Sequence, residues 1–179
     1  MKKAVLVLFI ASFSLTIQAQ HLFSTKTGQV LFNASSPVEK IAAANNQTDS
    51  KMVDKTGQIV FNVLIKSFKF ENQLMEDHFN ENYLESSKYP KAEFKGFITN
   101  ITTVDFSKNG KYPVNVEGNL TIHGVTQKIT GSGFITINSG KPAVNGTFKI
   151  KIKEYGISGL YIGDKIANEA EITVNCKYE

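Results

Sequence analysis

The sequence has few of the residues on which several kinds of protein depend. Cys176 is the only cysteine among 179 residues, so the chain cannot form an internal disulfide and its fold must rest on a hydrophobic core. Arginine is absent, and lysine takes its place throughout. Arginine is the residue suited to bidentate recognition of phosphate and guanine, and the lysines form no cluster. These features argue against nucleic acid as a partner.

Motifs of common catalytic sites are missing as well. The chain contains no G-x-S-x-G, no H-E-x-x-H, no C-x-x-C and no phosphate-binding loop. His78 lies on a predicted helix with Glu81 three residues on, but zinc sites normally use three or four protein ligands. His123 has no serine or cysteine placed beside it as a nucleophile. We therefore predict no catalytic residue, no bound metal and no cofactor.

The chain has one long apolar run, at its start. Residues 1–20 read MKKAVLVLFIASFSLTIQAQ, which is the layout of a secretory signal peptide with cleavage after Ala19. A membrane anchor is the alternative, but the run is short for a span of about 20 residues and contains serines and threonine. We predict a signal peptide over 1–19 and a single domain over 20–179, without a transmembrane span. This domain carries 18 lysines against 16 acids, a formal charge of +2.

Most of the predicted domain alternates apolar and polar residues with period two, which is typical of strands with one buried face. We count seven or eight such strands. They read GQVLFNA, GQIVFNVLI, KAEFKGFIT, YPVNVEGNLTI, KITGSGFITI, AVNGTFKIKI and IANEAEITVNCKY.

Two segments have helical signals. Ser36, Pro37 and Glu39 suit an N-cap, a first helical residue and a capping box, and predict a short helix from Pro37 to about Asn45. In ENQLMEDHFNENYLES, apolar residues recur at helical spacing after Asn72, a candidate N-cap.

Many antiparallel strands on a short chain must stack as two sheets or close into a barrel. Glycine inside a strand lets a sheet bend sharply, so inward-facing glycines favour a curved barrel with room inside. The sequence places five of them on predicted inward faces: Gly96, Gly118, Gly131, Gly133 and Gly146. Whether side chains fill this interior or leave a ligand cavity stays open at this point, because half-buried sheets have the same pattern.

Three stretches of the sequence, residues 116–129, 83–96 and 151–157, carry a resemblance. Together they resemble the YceI-like family of polyisoprenoid-binding, lipocalin-like proteins. VEGNLTIHGVTQKI, Val116 to Ile129, is similar to the family's G-x-L-T-I-x-G-V-T-K segment. YLESSKYPKAEFKG, Tyr83 to Gly96, resembles its helix end, Lys-Tyr-Pro and aromatic strand. KIKEYGI, Lys151 to Ile157, is similar to a segment ending in an acidic residue, an aromatic residue and glycine, although lysine stands where the family often has arginine.

The resemblance implies an all-β fold, a closed eight-stranded antiparallel barrel with one or two short helices capping an end. It also implies an elongated apolar cavity that takes a polyisoprenoid or similar amphiphile, export to the periplasm, and no catalytic residues. By facing alone, we predict that nine residues contact the ligand. They are Phe61, Val63, Phe94, Ile98, Val116, Leu120, Ile135, Phe148 and Ile150.

The leading hypothesis is therefore an exported, non-enzymatic protein that binds a long-chain isoprenoid or other lipid, with His78 as a candidate contact for the head group. One alternative is an exported accessory or structural barrel with a filled core and no small ligand. Another is an enzyme that uses His78 and nearby acids. The sequence does not choose between periplasm and medium, and it leaves the oligomeric state, including a homodimer, open.

Overall fold

The structure is a computed structural model that describes residues 20–179, so the predicted signal peptide lies outside the described residues. This part of the chain is built from nine strands. They are β1 (Leu22–Ser35), β2 (Ala42–Val53), β3 (Gln58–Leu64), β4 (Lys69–Phe70), β5 (Lys91–Ile98), β6 (Gly110–Ile122), β7 (Val125–Asn138), β8 (Lys141–Lys151) and β9 (Ile166–Lys177).

Helical structure is limited to short segments. Helix α1 (Gln73–His78) continues as a π-helical turn, Phe79–Tyr83, and 3₁₀ turns span Ile65–Ser67, Ile101–Thr103 and Ile152–Tyr155. Asn72 caps α1 as predicted, because its side-chain oxygen accepts a hydrogen bond from the Leu74 N–H at 2.9 Å. None of the described helices is long and apolar enough to cross a membrane.

Eight strands close into one antiparallel barrel. Their order is β1-β9-β8-β7-β6-β5-β3-β2, and β1 pairs with β2 to complete the ring. The two-residue strand β4 is an addition that pairs with Ala43 and Ala44 on β2. Closure leaves no open edge along the main sheet. The predicted fold class, an eight-stranded antiparallel barrel with a short helical cap, is confirmed.

The predicted helix from Pro37 to about Asn45 is wrong. Ser36 does accept a hydrogen bond from the Val38 N–H, but the resulting turn is brief, and Ala42 already begins β2. Pairing with β1 overrides the local helix signal. The sequence did not mark β2 as a strand because polar residues occupy its inner face. Asn45, Thr48 and Ser50 are all at most 1% exposed.

The two ends of the barrel differ. One end is packed solid by six residues that are at most 2% exposed and that we call the core plug: Met52, Ile98, Ile135, Ile137, Cys176 and Tyr178. At the opposite end, which we call the mouth end, lie the β1–β2, β3–β5, β6–β7 and β8–β9 connections. Helix α1 belongs to the second of these connections, so it covers the mouth end.

The core plug predicts a loss of stability at alkaline pH. Burial raises the pKa of the Cys176 thiol from 9.0 to about 12 and also raises the pKa of Tyr178. Above pH 9 the unfolded chain therefore loses a Cys176 proton that the folded chain keeps. The free energy of unfolding should fall by about 1.4 kcal/mol per pH unit from this group. Urea denaturation at a series of values from about pH 8 to about pH 11 measures it, because this range begins near the ordinary pKa of a thiol and extends above it.

The matched variant is Cys176→Ala, which has no thiol to titrate. Its stability should decline less steeply than that of the unchanged protein over the same pH range. Parallel curves for the two proteins would show that the thiol ionises as readily in the folded state as in the unfolded chain.

Candidate functional site

A cavity of about 540 Å³ occupies the half of the barrel nearer the mouth end. This volume falls within the range of about 300–1,000 Å³ that is usual for ligand pockets. Inward-facing valine, isoleucine, leucine and phenylalanine side chains from the barrel strands form most of its wall. Phe61, Val116 and Phe148 point inward yet are only partly buried, since the cavity leaves one side of each uncovered. The barrel core is therefore not filled.

The nine residues predicted to contact a ligand are divided between the cavity and the core plug. Seven lie in the cavity wall: Phe61, Val63, Phe94, Val116, Leu120, Phe148 and Ile150. Ile98 and Ile135 do not. They face inward as the alternation predicts, but they lie nearer the closed end, at 2% and 0% exposure. The period-two alternation predicts which face of a strand a residue occupies, but it does not predict how far along the barrel the residue lies.

Three glycines create room in the wall formed by β7 and β8. Gly131, Gly133 and Gly146 line the cavity, and Gly133 pairs directly with Gly146. A Cβ atom at Gly133 would lie 2.2 Å from the Asn145 carbonyl oxygen, so this position requires glycine. At Gly131 the nearest atom to such a Cβ would be the Phe148 Cβ, at 3.8 Å. A side chain at Gly131 would therefore project into open cavity.

The other two inward glycines have a packing role. Gly96 and Gly118 face each other across β5 and β6. A Cβ atom on either would come within 2.7 Å of the tip of the Phe94 ring. The Phe94 ring therefore packs directly on Gly96 and Gly118. The space left by their missing side chains is filled by this ring and does not add to the cavity.

An aromatic cluster forms the roof of the cavity. Phe79, in the π-helical turn after α1, has its ring centroid 5.5 Å from Phe32, 5.6 Å from Phe68 and 5.0 Å from Phe70. All four side chains line the cavity. The tilted and edge-on ring contacts are favourable aromatic geometries. They attach the helical segment to β1 and to the β3–β5 connection.

Polar side chains around the cavity gather at the mouth end. Those that line it there include Glu39, Asn72, His78, Tyr83, Tyr161 and Lys165. Burial raises the pKa of the Tyr83 hydroxyl, and the nearby Tyr161 adds to this effect. His78 lies on the solvent-exposed part of the roof. Within residues 20–179, no three His, Cys, Asp or Glu side chains are grouped so that they could hold a metal ion.

His123 belongs to a structural joint outside the cavity. With Gly124 it forms the two-residue turn between β6 and β7, and both residues have positive φ, 52° and 76°. His123 Nε2 lies 2.6 Å from Glu85 Oε2, and its ring packs against Tyr89 with centroids 4.4 Å apart. The prediction that His123 is a turn residue is confirmed. Its partner Glu85, 38 residues away, was missed because nothing local marks it.

This joint connects all three sequence stretches that resemble the family. Glu85 and Tyr89 come from the second stretch and His123 from the first. The first also contacts the third, where the Gln127 side-chain amide donates to the Glu154 carbonyl at 2.9 Å. The stretches most typical of the family therefore fix the roof to the barrel wall, and the cavity is lined largely by residues outside them.

The YceI-like domain family matches residues 11–178, nearly the whole sequence. The chain belongs to the YceI-like family. Two curated relatives, the UPF0312 proteins of Pseudomonas savastanoi pv. phaseolicola and Pseudomonas syringae pv. syringae, are each 29% identical over 86 residues. That match covers 45% of this chain and 41% of each relative.

Solved structures share the fold of this chain at low sequence identity. A polyisoprenoid binding domain from Saccharophagus degradans, implicated in plant cell wall breakdown, has a TM-score of 0.75 at 13% identity and covers 88% of this chain and 97% of its own. BcnA from Burkholderia cenocepacia has a TM-score of 0.69 at 18% identity, covering 83% and 94%. At these identities the likeness establishes the fold alone.

Proposed function

We propose that the protein binds a polyisoprenoid or similar long-chain amphiphile in the barrel cavity and carries or sequesters it outside the cytoplasm. The observation that carries this proposal is the apolar cavity of about 540 Å³, open at one end of a YceI-like barrel. The polyisoprenoid binding domain of Saccharophagus degradans supports the ligand class, since it has the same fold.

Burial of the chain would supply most of the affinity. Each methylene removed from water contributes about 0.8 kcal/mol, so a long tail needs little polar recognition. In the proposed pose the tail lies among Phe61, Val116 and Phe148, deep in the cavity. The head group stays at the mouth end, where His78 and Lys165 provide polar contacts. Ile98 and Ile135 belong to the core plug and are left out of the proposed site.

Export is the second part of the proposal. It rests on the signal-peptide pattern of residues 1–19, with the mature protein acting in the periplasm or in the medium. A compartment of this kind suits a carrier, because long-chain lipids are poorly soluble in water and need a protein or a membrane around them. The proposed activity is binding, with no catalytic step.

A dye-displacement titration tests the proposal. N-phenyl-1-naphthylamine, an apolar dye that fluoresces brightly away from water, should bind at one site per chain. A C20 isoprenol and hexadecanoic acid should displace it, whereas short-chain analogues should not. Absence of saturable dye uptake by the folded protein, together with no displacement by either lipid, would contradict a ligand-binding cavity.

His78→Ala tests the proposed position of the head group. The change removes one polar contact at the mouth end and no part of the apolar wall. A hydrogen bond contributes about 0.5–1.5 kcal/mol, so affinity for hexadecanoic acid should fall by about 3- to 10-fold while affinity for hexadecane stays unchanged. Competition against the dye measures both. Equal losses for acid and alkane would place the effect on the cavity wall instead.

A further inference from the structure

Large apolar side chains are exposed around the mouth end. Val38 is 71% exposed, Leu74 60%, Leu160 94% and Tyr161 49%. We call these four residues the rim. They are four of the nine large apolar side chains exposed in residues 20–179, and Leu64, a fifth, ends β3 on the same side. Scattered apolar residues are normal on a protein surface, but a group around one opening indicates an interaction surface.

The rim comes from three separate segments that surround the cavity entrance. Val38 lies in the β1–β2 connection, Leu74 on α1, and Leu160 and Tyr161 in the β8–β9 connection. Leu74 and Tyr161 also line the cavity. These two rim residues therefore belong both to the cavity wall and to the exposed surface around the entrance.

We propose that the rim inserts into the surface of a lipid bilayer, so that a long-chain ligand passes between membrane and cavity without crossing water. This proposal rests on the proposed lipid-binding function and names the membrane as the partner of the same site. Transfer through bulk water would expose the whole tail, at about 0.8 kcal/mol for each methylene. A mouth seated on a bilayer avoids that cost.

The chemistry of the rim suits a bilayer. Its apolar side chains are separate tips on three segments, which a fluid phase can accept without a matching surface. Tyr161 lies under the Lys165 ammonium, 5.3 Å from its ring centroid, and such amphipathic residues favour the membrane–water boundary.

Charge is not expected to drive this association. Two lysines near the rim are already paired with carboxylates, Lys40 with Glu71 at 2.8 Å and Lys69 with Glu76 at 2.5 Å. Binding should therefore depend on apolar insertion and respond weakly to salt, in contrast to binding through a basic patch.

Single-tryptophan variants test the proposal, because the chain contains no tryptophan of its own. Leu160→Trp places the probe on the rim, and Phe97→Trp places it on the outer face of β5, also exposed, near the closed end. Vesicles of phosphatidylethanolamine and phosphatidylglycerol should shift the Leu160→Trp emission to the blue at low and high salt and leave Phe97→Trp unchanged. Three results would overturn the proposal. The Leu160→Trp emission could stay unshifted with vesicles, or it could shift no more than the Phe97→Trp emission. It could also shift when another protein is added but not when vesicles are added.

A transfer assay separates this proposal from ligand binding itself. Leu160→Asp combined with Val38→Asp changes two rim residues that do not line the cavity. The double variant should slow dye uptake from vesicles by at least about tenfold, since each buried aliphatic side chain contributes strongly to insertion. Uptake of the same dye from cyclodextrin, which needs no membrane, should stay close to that of the unchanged protein, as should both rates for Phe97→Asp. If the double variant and the unchanged protein took up dye from vesicles at equal rates, the proposed docking would be overturned. If the unchanged protein took up no dye from cyclodextrin, the proposed ligand-binding function would be contradicted instead. The emission shift of Leu160→Trp with vesicles would still test membrane docking in that case.

Discussion

Replacing Gly131 with phenylalanine should weaken binding of long-chain ligands by about 100-fold or more and leave the barrel folded. The added ring would project into the cavity, because the wall around Gly131 is open and its nearest neighbour would be 3.8 Å from the new Cβ. A ligand displaced by about four methylenes loses about 3 kcal/mol of burial, which corresponds to this change in affinity. Isothermal titration with hexadecanoic acid measures it.

Thr130→Phe is the matched control for Gly131→Phe. It adds the same ring to the same strand, but Thr130 is exposed on the outer face of β7. Ligand affinity should stay within about threefold of the unchanged protein, and both variants should keep a cooperative thermal transition. Full affinity in a folded Gly131→Phe protein would show that the ligand binds somewhere other than this cavity.

Phe79→Ala should destabilise the protein by about 3–5 kcal/mol, the range found for removing a buried phenylalanine. Phe79 is 8% exposed and touches three other rings, which together form the roof. Its loss opens a gap that Phe32, Phe68 and Phe70 cannot close without leaving their strand and turn positions. Urea denaturation followed by circular dichroism measures the free energy of unfolding.

Leu74→Ala provides the comparison on the same helical segment. Leu74 is 60% exposed, so its truncation should change the free energy of unfolding by less than about 0.5 kcal/mol. A similar small effect for Phe79→Ala would mean that the roof is not packed against the barrel and that the cavity has no fixed cover.

The sequence predicted the strands whose inner faces are aliphatic and failed where they are not. Period two located β3 and β6 because Ile59, Val63, Val114 and Leu120 alternate with polar residues. The same test could not find β2, which places Asn45 and other polar groups inside and satisfies them with hydrogen bonds, such as Asn45 Nδ2 to the Leu64 carbonyl. That compensation exists only once the barrel has closed.

Prediction of the candidate site had a similar limit. Alternation indicates which face of a strand a residue occupies, so Val116 and Phe148 were placed in the cavity wall together with residues that lie elsewhere. Ile135 has the same facing but sits in the core plug. Position along the barrel depends on strand register, which pairs residues far apart in the chain. The Glu85–His123 contact could not be predicted for the same reason, because it joins residues 38 positions apart in the chain.

Native mass spectrometry with lipid extraction tests the central claim most directly. The full chain, including residues 1–19, would be produced in a bacterial host and purified gently without detergent. The account predicts a co-purifying long-chain species at about one per chain, absent from the Gly131→Phe variant. A ligand-free mass that persists after incubation with isoprenoids and fatty acids would contradict it.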